Sequence, residues 1–160
     1  MSKSLKRVKR ALAEAGLNIE PLEMGADTKT AQAAADAAGC HVDQIGKSVI
    51  FAGMDSGAAI LFITAGGNQV DVDKASALAG EPLGKADAAL IRAQTGFAIG
   101  GVSPVGHLNP IRAFLDPRLA EFAEIWVAAG TPRHIFKIAP ADLIKISAAQ
   151  EADFITKSDA

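Results

Sequence analysis

The chain has 160 residues, 49% of them apolar and 21% charged, with a formal net charge of −2 at pH 7. That composition fits one folded domain spanning residues 1–160 rather than a disordered segment, and the near-neutral charge excludes a protein that coats nucleic acid with a broad basic face. A single cysteine, Cys40, excludes an internal disulfide framework; no apolar run reaches membrane-spanning length and no signal peptide shows, so the expected setting is the cytoplasm, with no membrane partner.

In chain order, Ser2 or Ser4 caps a first helix whose Leu5, Val8, Leu12 and Ala15 recur at helical spacing before Gly16 stops it. Its Lys3, Lys6, Arg7, Lys9 and Arg10 form a basic cluster, read as a solvated helix face, with a contact to one RNA end as the alternative. Residues 17–23 around Pro21 read as a short edge strand. Thr28 or Thr30 caps an alanine-rich helix ending at Gly39. Residues 47–54 and 58–64 are two nearly continuous apolar runs around Asp55-Ser56-Gly57, a hairpin expected to be central and covered on both faces, with Val49, Phe51, Leu61 and Ile63 inside. A brief strand at 69–72 follows, then a helix from Asp73 to Ala79 and a short helix at 86–95 capped by Asp87 or its neighbour. After a glycine-rich stretch come a strand at 111–115, a helical turn opened by Asp116-Pro117, a strand at 125–128, a turn at Gly130-Thr131-Pro132, a strand at 134–138 and a helix at 140–146. The tail from Ser147 is polar and expected to fray. Tight turns between strands favour an α+β fold: a mixed, largely antiparallel twisted sheet of about six strands surrounded by helices.

The glycine-rich stretch Gly96–Gly106 (Gly-Phe-Ala-Ile-Gly-Gly-Val-Ser-Pro-Val-Gly) packs four glycines and Pro104 among apolar residues. Two readings stand: a structural turn, or a strand running into a rigid loop with bare amides facing a cleft. It lacks the Lys-Ser/Thr pair of a phosphate-binding P-loop, and its glycines are spaced wrongly for a dinucleotide fingerprint. Ser103 has His107 nearby in sequence, but Pro104 and the missing strand–Ser–helix elbow argue against a triad. Cys40, His41, His107 and His134 form no short-spaced ligand set, so neither metal nor cofactor is expected. Lys47 lies at the mouth of an apolar strand, where burial of an ammonium is costly. It either lays its stem on the sheet with its head in water or serves a site.

Ile45-Gly46-Lys47-Ser48-Val49-Ile50-Phe51, Gln69 to Lys74, Thr95 to Gly106 and Ala128-Ala129-Gly130, in this order and separation, resemble the YbaK/EbsC family, relatives of the editing insertion domain of bacterial prolyl-tRNA synthetases. The resemblance runs from the first helix to Ile146. It implies a free-standing aminoacyl-tRNA deacylase that hydrolyses the ester between a wrong amino acid and the terminal adenosine of a tRNA. The implied substrate is tRNA for proline carrying a small amino acid such as Ala, Cys or 2-aminobutyrate, with the synthetase as a second partner. By the same resemblance Lys47 and Gly101 are catalytic, and Ser48, Gly100, Val102, Ser103, Pro104, Gly106, Gly130 and His134 bind substrate. Ser48 after Lys47 departs from the Lys-Asn pair of alanine-specific members, and Ala-Gly-Thr-Pro-Arg-His departs from the Gly-Gly-Lys of cysteine-specific ones. The rival expectation is a module that binds an aminoacyl end or nucleotide without turnover, or that rests on a synthetase.

Overall fold

A computed structural model describes residues 2–25 and 27–156. Helix α1 (Lys3–Glu14) begins where the Ser2 hydroxyl accepts the Leu5 N–H at 3.0 Å, and it buries Leu5, Val8 and Leu12 on one face. Strand β1 (Leu22–Glu23) follows, then α2 (Ala31–Ala38), capped by Thr30 and closed by Gly39 in the left-handed conformation. A 3-10 turn leads into β2 (Ile45–Gly53), which forms a hairpin with β3 (Ala59–Ala65). Next come α3 (Val72–Ala79), β4 (Leu83–Lys85) and α4 (Ala88–Thr95). After the glycine-rich stretch the chain forms β5 (Arg112–Leu115), β6 (Ile125–Thr131), β7 (His134–Ile138), α5 (Pro140–Ser147) and β8 (Gln150–Glu151).

The eight strands make one sheet in the order β1-β7-β6-β2-β3-β5-β8, with β4 also pairing β2. The long pairings, β2 with β3 and β6 with β7, are antiparallel; β6, β5 and β8 contribute shorter parallel contacts. The α+β class and the largely antiparallel sheet agree with the sequence reading, but the strand count is higher. Leu83–Lys85 is too short to carry a periodicity, and residues 150–151 gain their partner only from β5, far back in the chain. The strand expected at 69–72 is instead a single bridge, Val70 to Ile155, because Asp71 turns away to cap α3, accepting the Asp73 and Lys74 N–H groups. That moves the cap from Asp73. The tail to residue 156 does not fray: Phe154 is fully buried, and Lys74 Nζ donates to the Ile155 carbonyl at 2.9 Å.

The core lies on both faces of β3, whose seven residues are all buried. Leu61 and Ile63 join α1, α5 and the glycine-rich stretch on one side. Ile60 and Phe62 join Phe114 and Phe154 on the other, with the Phe62 ring stacked on Phe114 at 5.2 Å. Strand β2 departs from the expectation of cover on both faces: residues 47–52, Val49 and Phe51 among them, are only half-buried. The cause is the pairing. On the side away from β3, β2 meets β6 only at Ile45–Gly46 and β4 only at Phe51–Gly53. Lys47–Ile50 between them pair with no strand on that edge among the described residues. The sheet is thus split beside its own centre. No helix among the described residues is long and apolar enough to cross a membrane.

Candidate functional site

The split edge opens into a cleft of about 570 Å3. Its floor is Gly46 to Ile50 of β2; its walls are Thr28 to Ala31 with Ala34, Trp126 to Ala128 of β6, and Ile91, Ile99, Gly100 and Val102. Among the described residues the charged side chains along it are Lys29, paired with Asp27 at 3.8 Å, and Lys47, both cationic. A cleft of this kind, apolar with two ammonium groups, suits an anionic ligand that also carries a small apolar part.

Lys47 is the third residue of β2 rather than its first. Its ammonium makes no hydrogen bond or ion pair with any described residue. Desolvation pulls its pKa below the ordinary lysine value, against the opposing charges of Asp116 and Asp43. Those carboxylates are already committed. Asp116, 2% exposed, accepts from the Ala65 N–H at 3.0 Å and from Asn68 at 2.9 Å. Asp43 pairs with Arg118 at 3.1 Å. Lys47 therefore faces the cleft as a charge held near carboxylates but spent on neither. Next to it in sequence, on the opposite face of β2, the Ser48 hydroxyl is buried without a partner. A buried unpaired hydroxyl costs roughly 1–3 kcal/mol, so Ser48 marks a second place along the cleft where a polar group of a ligand would be held.

The glycine-rich stretch contains no strand, contrary to the expectation of one running into the loop. Gly96 ends α4 as its left-handed cap, and Phe97, Val102, Ser103 and Val105 then sink into the core. Full burial of a side chain such as Phe97 contributes roughly 1.5–3 kcal/mol, so the segment is anchored rather than floppy. Of the amides expected to face a cleft bare, that of Gly101 is already used, donating to the Ala98 carbonyl at 3.1 Å. Those of Val102 and Ser103 have no acceptor among the described residues. Gly101 lies against Thr131: a Cβ there would stand 2.9 Å from that residue's backbone C and Cα.

Lys47, Ser48, Gly100 and Val102 are thus brought together in one cleft. Gly101, Ser103, Pro104, Gly106, Gly130 and His134 lie outside its lining. Gly106 and Gly130 press on the α1 backbone, their would-be Cβ atoms 3.1 Å from the Arg7 carbonyl oxygen and 3.0 Å from that of Ser4. His134 hydrogen-bonds Thr131 through Nδ1 at 2.6 Å and pairs with Glu23 of β1. Ser103 is fully buried; its hydroxyl accepts the Val105 N–H, and His107 Nε2 donates to the Ser103 carbonyl, not to the hydroxyl, at 2.7 Å. No serine–histidine dyad exists there. The Cys40 thiol is half-buried, and burial raises its pKa, away from the thiolate a nucleophile needs. Among the described residues no three metal-ligating side chains cluster.

Sequence reasoning missed the wall from Thr28 to Ala34 and the place of Trp126. The Thr28 hydroxyl and N–H both donate to the Pro132 carbonyl at 2.8 Å, so this wall is tied to the β6–β7 hairpin over a hundred residues away. Thr28 and Thr30 were both read as possible caps; Thr30 takes that role, and no local signal marked Thr28 as part of a cleft wall.

His107 carries a pH consequence. Burial holds its pKa below the ordinary imidazole value, with the hydrogen bond to Ser103 opposing and the Arg7 charge adding to the fall. A folded-state value below the unfolded one means that the unfolded chain takes the proton first. The stability from neutral His107 is full above about pH 6.5 and is lost as the pH falls below that point towards the folded-state value. Urea unfolding between about pH 7.5 and pH 5 should show a steeper decline for the wild type than for His107→Gln. Parallel curves would remove His107 from the pH response.

The profile of the aminoacyl-tRNA editing domain matches residues 25–146. A crystal structure of a candidate trans-editing enzyme for prolyl-tRNA synthetase is 43% identical, covers 99% of both chains and superposes with a TM-score of 0.90. YwhH of Bacillus subtilis, a protein of uncharacterised role, is 27% identical over 144 residues, 90% of this chain and 91% of that one. EbsC of Enterococcus faecalis, a candidate Cys-tRNA(Pro)/Cys-tRNA(Cys) deacylase, is 26% identical over 135 residues, 82% of this chain and 80% of its own.

Proposed function

Because the chain belongs to the aminoacyl-tRNA editing domain family, of the YbaK/EbsC type, we propose that it hydrolyses the ester linking a wrongly attached small amino acid to the 3′ end of a tRNA, tRNA for proline first, in the cytoplasm. The observation that carries this reading is the unspent Lys47 ammonium in a largely apolar cleft, with the unpartnered Ser48 hydroxyl also along its lining. The acceptor end of a tRNA brings phosphates for a cation, a ribose for a hydroxyl and a small acyl side chain for the isoleucine and valine walls. Lys47 holds the terminal phosphate or the charge that develops on the ester. The Val102 amide, on the cleft wall and without an acceptor among the described residues, is the donor left for the carbonyl oxygen. Besides Lys29 and Lys47, the nucleophilic side chains lining the cleft among the described residues are the Ser48, Thr28 and Thr30 hydroxyls, none hydrogen-bonded to a histidine. The attacker in this reading is a water, oriented by the neighbouring ribose hydroxyl: it adds to the ester carbonyl, the acyl–oxygen bond breaks, and the ribose oxygen leaves with a proton, delivered by position rather than by an acyl-enzyme. Selection works by size, since a packed apolar wall rejects what is too large better than what is merely smaller.

The test is a deacylation panel: purified protein against tRNA-Pro charged with Ala, Cys, Ser, 2-aminobutyrate or Pro. Multiple-turnover hydrolysis of at least one small mismatched ester, with Pro-tRNA spared, is the expected result. Stoichiometric binding without hydrolysis of any ester would replace the enzyme with a binding module. On the same panel Ser103→Ala and Cys40→Ala should keep the rate within a few-fold of wild type, because one hydroxyl serves the Val105 amide and the other group is a protonated thiol outside the cleft. A folded, tRNA-binding Ser103→Ala or Cys40→Ala protein without activity would demand a covalent mechanism.

A further inference from the structure

The wall of the cleft formed by Gly100 and Val102 belongs to a segment whose two ends are held by one side chain. Arg7, on α1, donates through Nη2 to the Gly96 carbonyl at 2.7 Å and through Nε to the Gly106 carbonyl at 3.3 Å. Its guanidinium lies over the Phe97 ring, 5.0 Å from the centroid. On the edge of that ring sits His107, 5.9 Å away between centroids, whose own Nε2–H holds the middle of the segment at the Ser103 carbonyl. No carboxylate pairs with Arg7 among the described residues. Its fork bonds two backbone carbonyls separated by ten residues. A planar guanidinium with several donors in fixed directions does this where a single ammonium would not. The helix supplying it lies before the segment that matches the editing-domain profile, which begins at residue 25.

We infer that Arg7 is a positioning residue for the cleft: by pinning Gly96 and Gly106 to α1 it fixes where Gly100, Val102 and the free Val102 amide stand. It touches no ligand in this scheme, since it does not line the cleft. The inference rests on the proposed deacylase reading for its kinetic consequence, but not for its structural one. A clamp whose loss lets reacting groups drift should lower kcat more than it raises KM, because ground-state contacts at Lys47 remain.

The experiment joins hydrogen exchange by mass spectrometry with kinetics on the full chain, for wild type, Arg7→Ala and Arg7→Lys. In Arg7→Ala, exchange of peptides covering residues 96–107 should rise about tenfold or more while β3 peptides keep their protection, and kcat should fall about tenfold with KM within about threefold. Arg7→Lys should restore part of the protection, as an ammonium reaches one carbonyl but does not bridge both. Unchanged exchange over 96–107 in Arg7→Ala would overturn the inference. So would protection lost equally from β3 in both variants, which would make Arg7 a general stabiliser. If the wild type hydrolysed none of the esters, the functional proposal would fail while the exchange arm still decided the clamp.

Discussion

Lys47→Ala is expected to lower the rate of ester hydrolysis by about a hundredfold or more, the scale on which loss of one preorganised electrostatic group is felt. The ammonium sits in an apolar cleft with no bonded partner, so a negative charge placed before it would be screened far less than at the surface. Lys47→Arg should recover little, because a planar fork does not occupy the space of a compact ammonium. Stability should move the other way. The pKa of Lys47 is depressed in the folded state, so its charged form is disfavoured by folding at neutral pH, and the cost is relieved only as the pH rises through the folded-state value. Lys47→Met should therefore match or exceed the wild type in Tm while being inactive. Single-turnover hydrolysis and calorimetry on the same three variants check both halves. A Lys47→Met protein that was active, or clearly less stable, would refute the account of this residue.

Gly101→Ala should cut kcat/KM by on the order of a hundredfold, with Tm changed little. The added methyl meets backbone atoms of Thr131 at 2.9 Å, and these do not rotate aside as a side-chain end would. Thr131 is fixed by the β6–β7 hairpin, so the loop is the partner that shifts. The movement strains the bond from the Gly101 N–H to the Ala98 carbonyl and displaces Gly100 and Val102, which line the cleft. Misplacement of about 1 Å is enough for a loss of this size. Steady-state kinetics with thermal denaturation test it, and activity within about twofold of wild type would show that the loop position does not govern the reaction.

Much of this was legible in the sequence because it depends on neighbours. The caps at Ser2, Thr30 and Asp87 and the Asp116-Pro117 turn are local hydrogen bonds, and residue type with position suffices to find them. Lys47 stood out because a cation in an apolar strand is costly wherever the strand goes. The cleft itself was not legible. It exists because β6 leaves β2 after Gly46 and β4 arrives only at Phe51, and neither divergence is written in β2. Arg7 looked like one member of a solvated basic face, since the carbonyls it bonds lie 89 and 99 residues away. The folded tail was missed for the same reason: Phe154 fills a place between Phe62 and the α3 side that no local pattern announces.

The ends of the sheet bear on how copies of this protein meet in a crowded solution. An open sheet invites another chain to add a strand at either margin, and a long flat margin is the usual seed of fibrous self-association. Here the outermost strands, β1 and β8, are two residues long. Each offers too little backbone to template a neighbour, and β8 shields part of β5, a strand with an apolar Ala-Phe-Leu run. The last described residues, pinned by Lys74 and Phe154, thereby keep an adhesive margin out of circulation while leaving the cleft on the far side of β3 open.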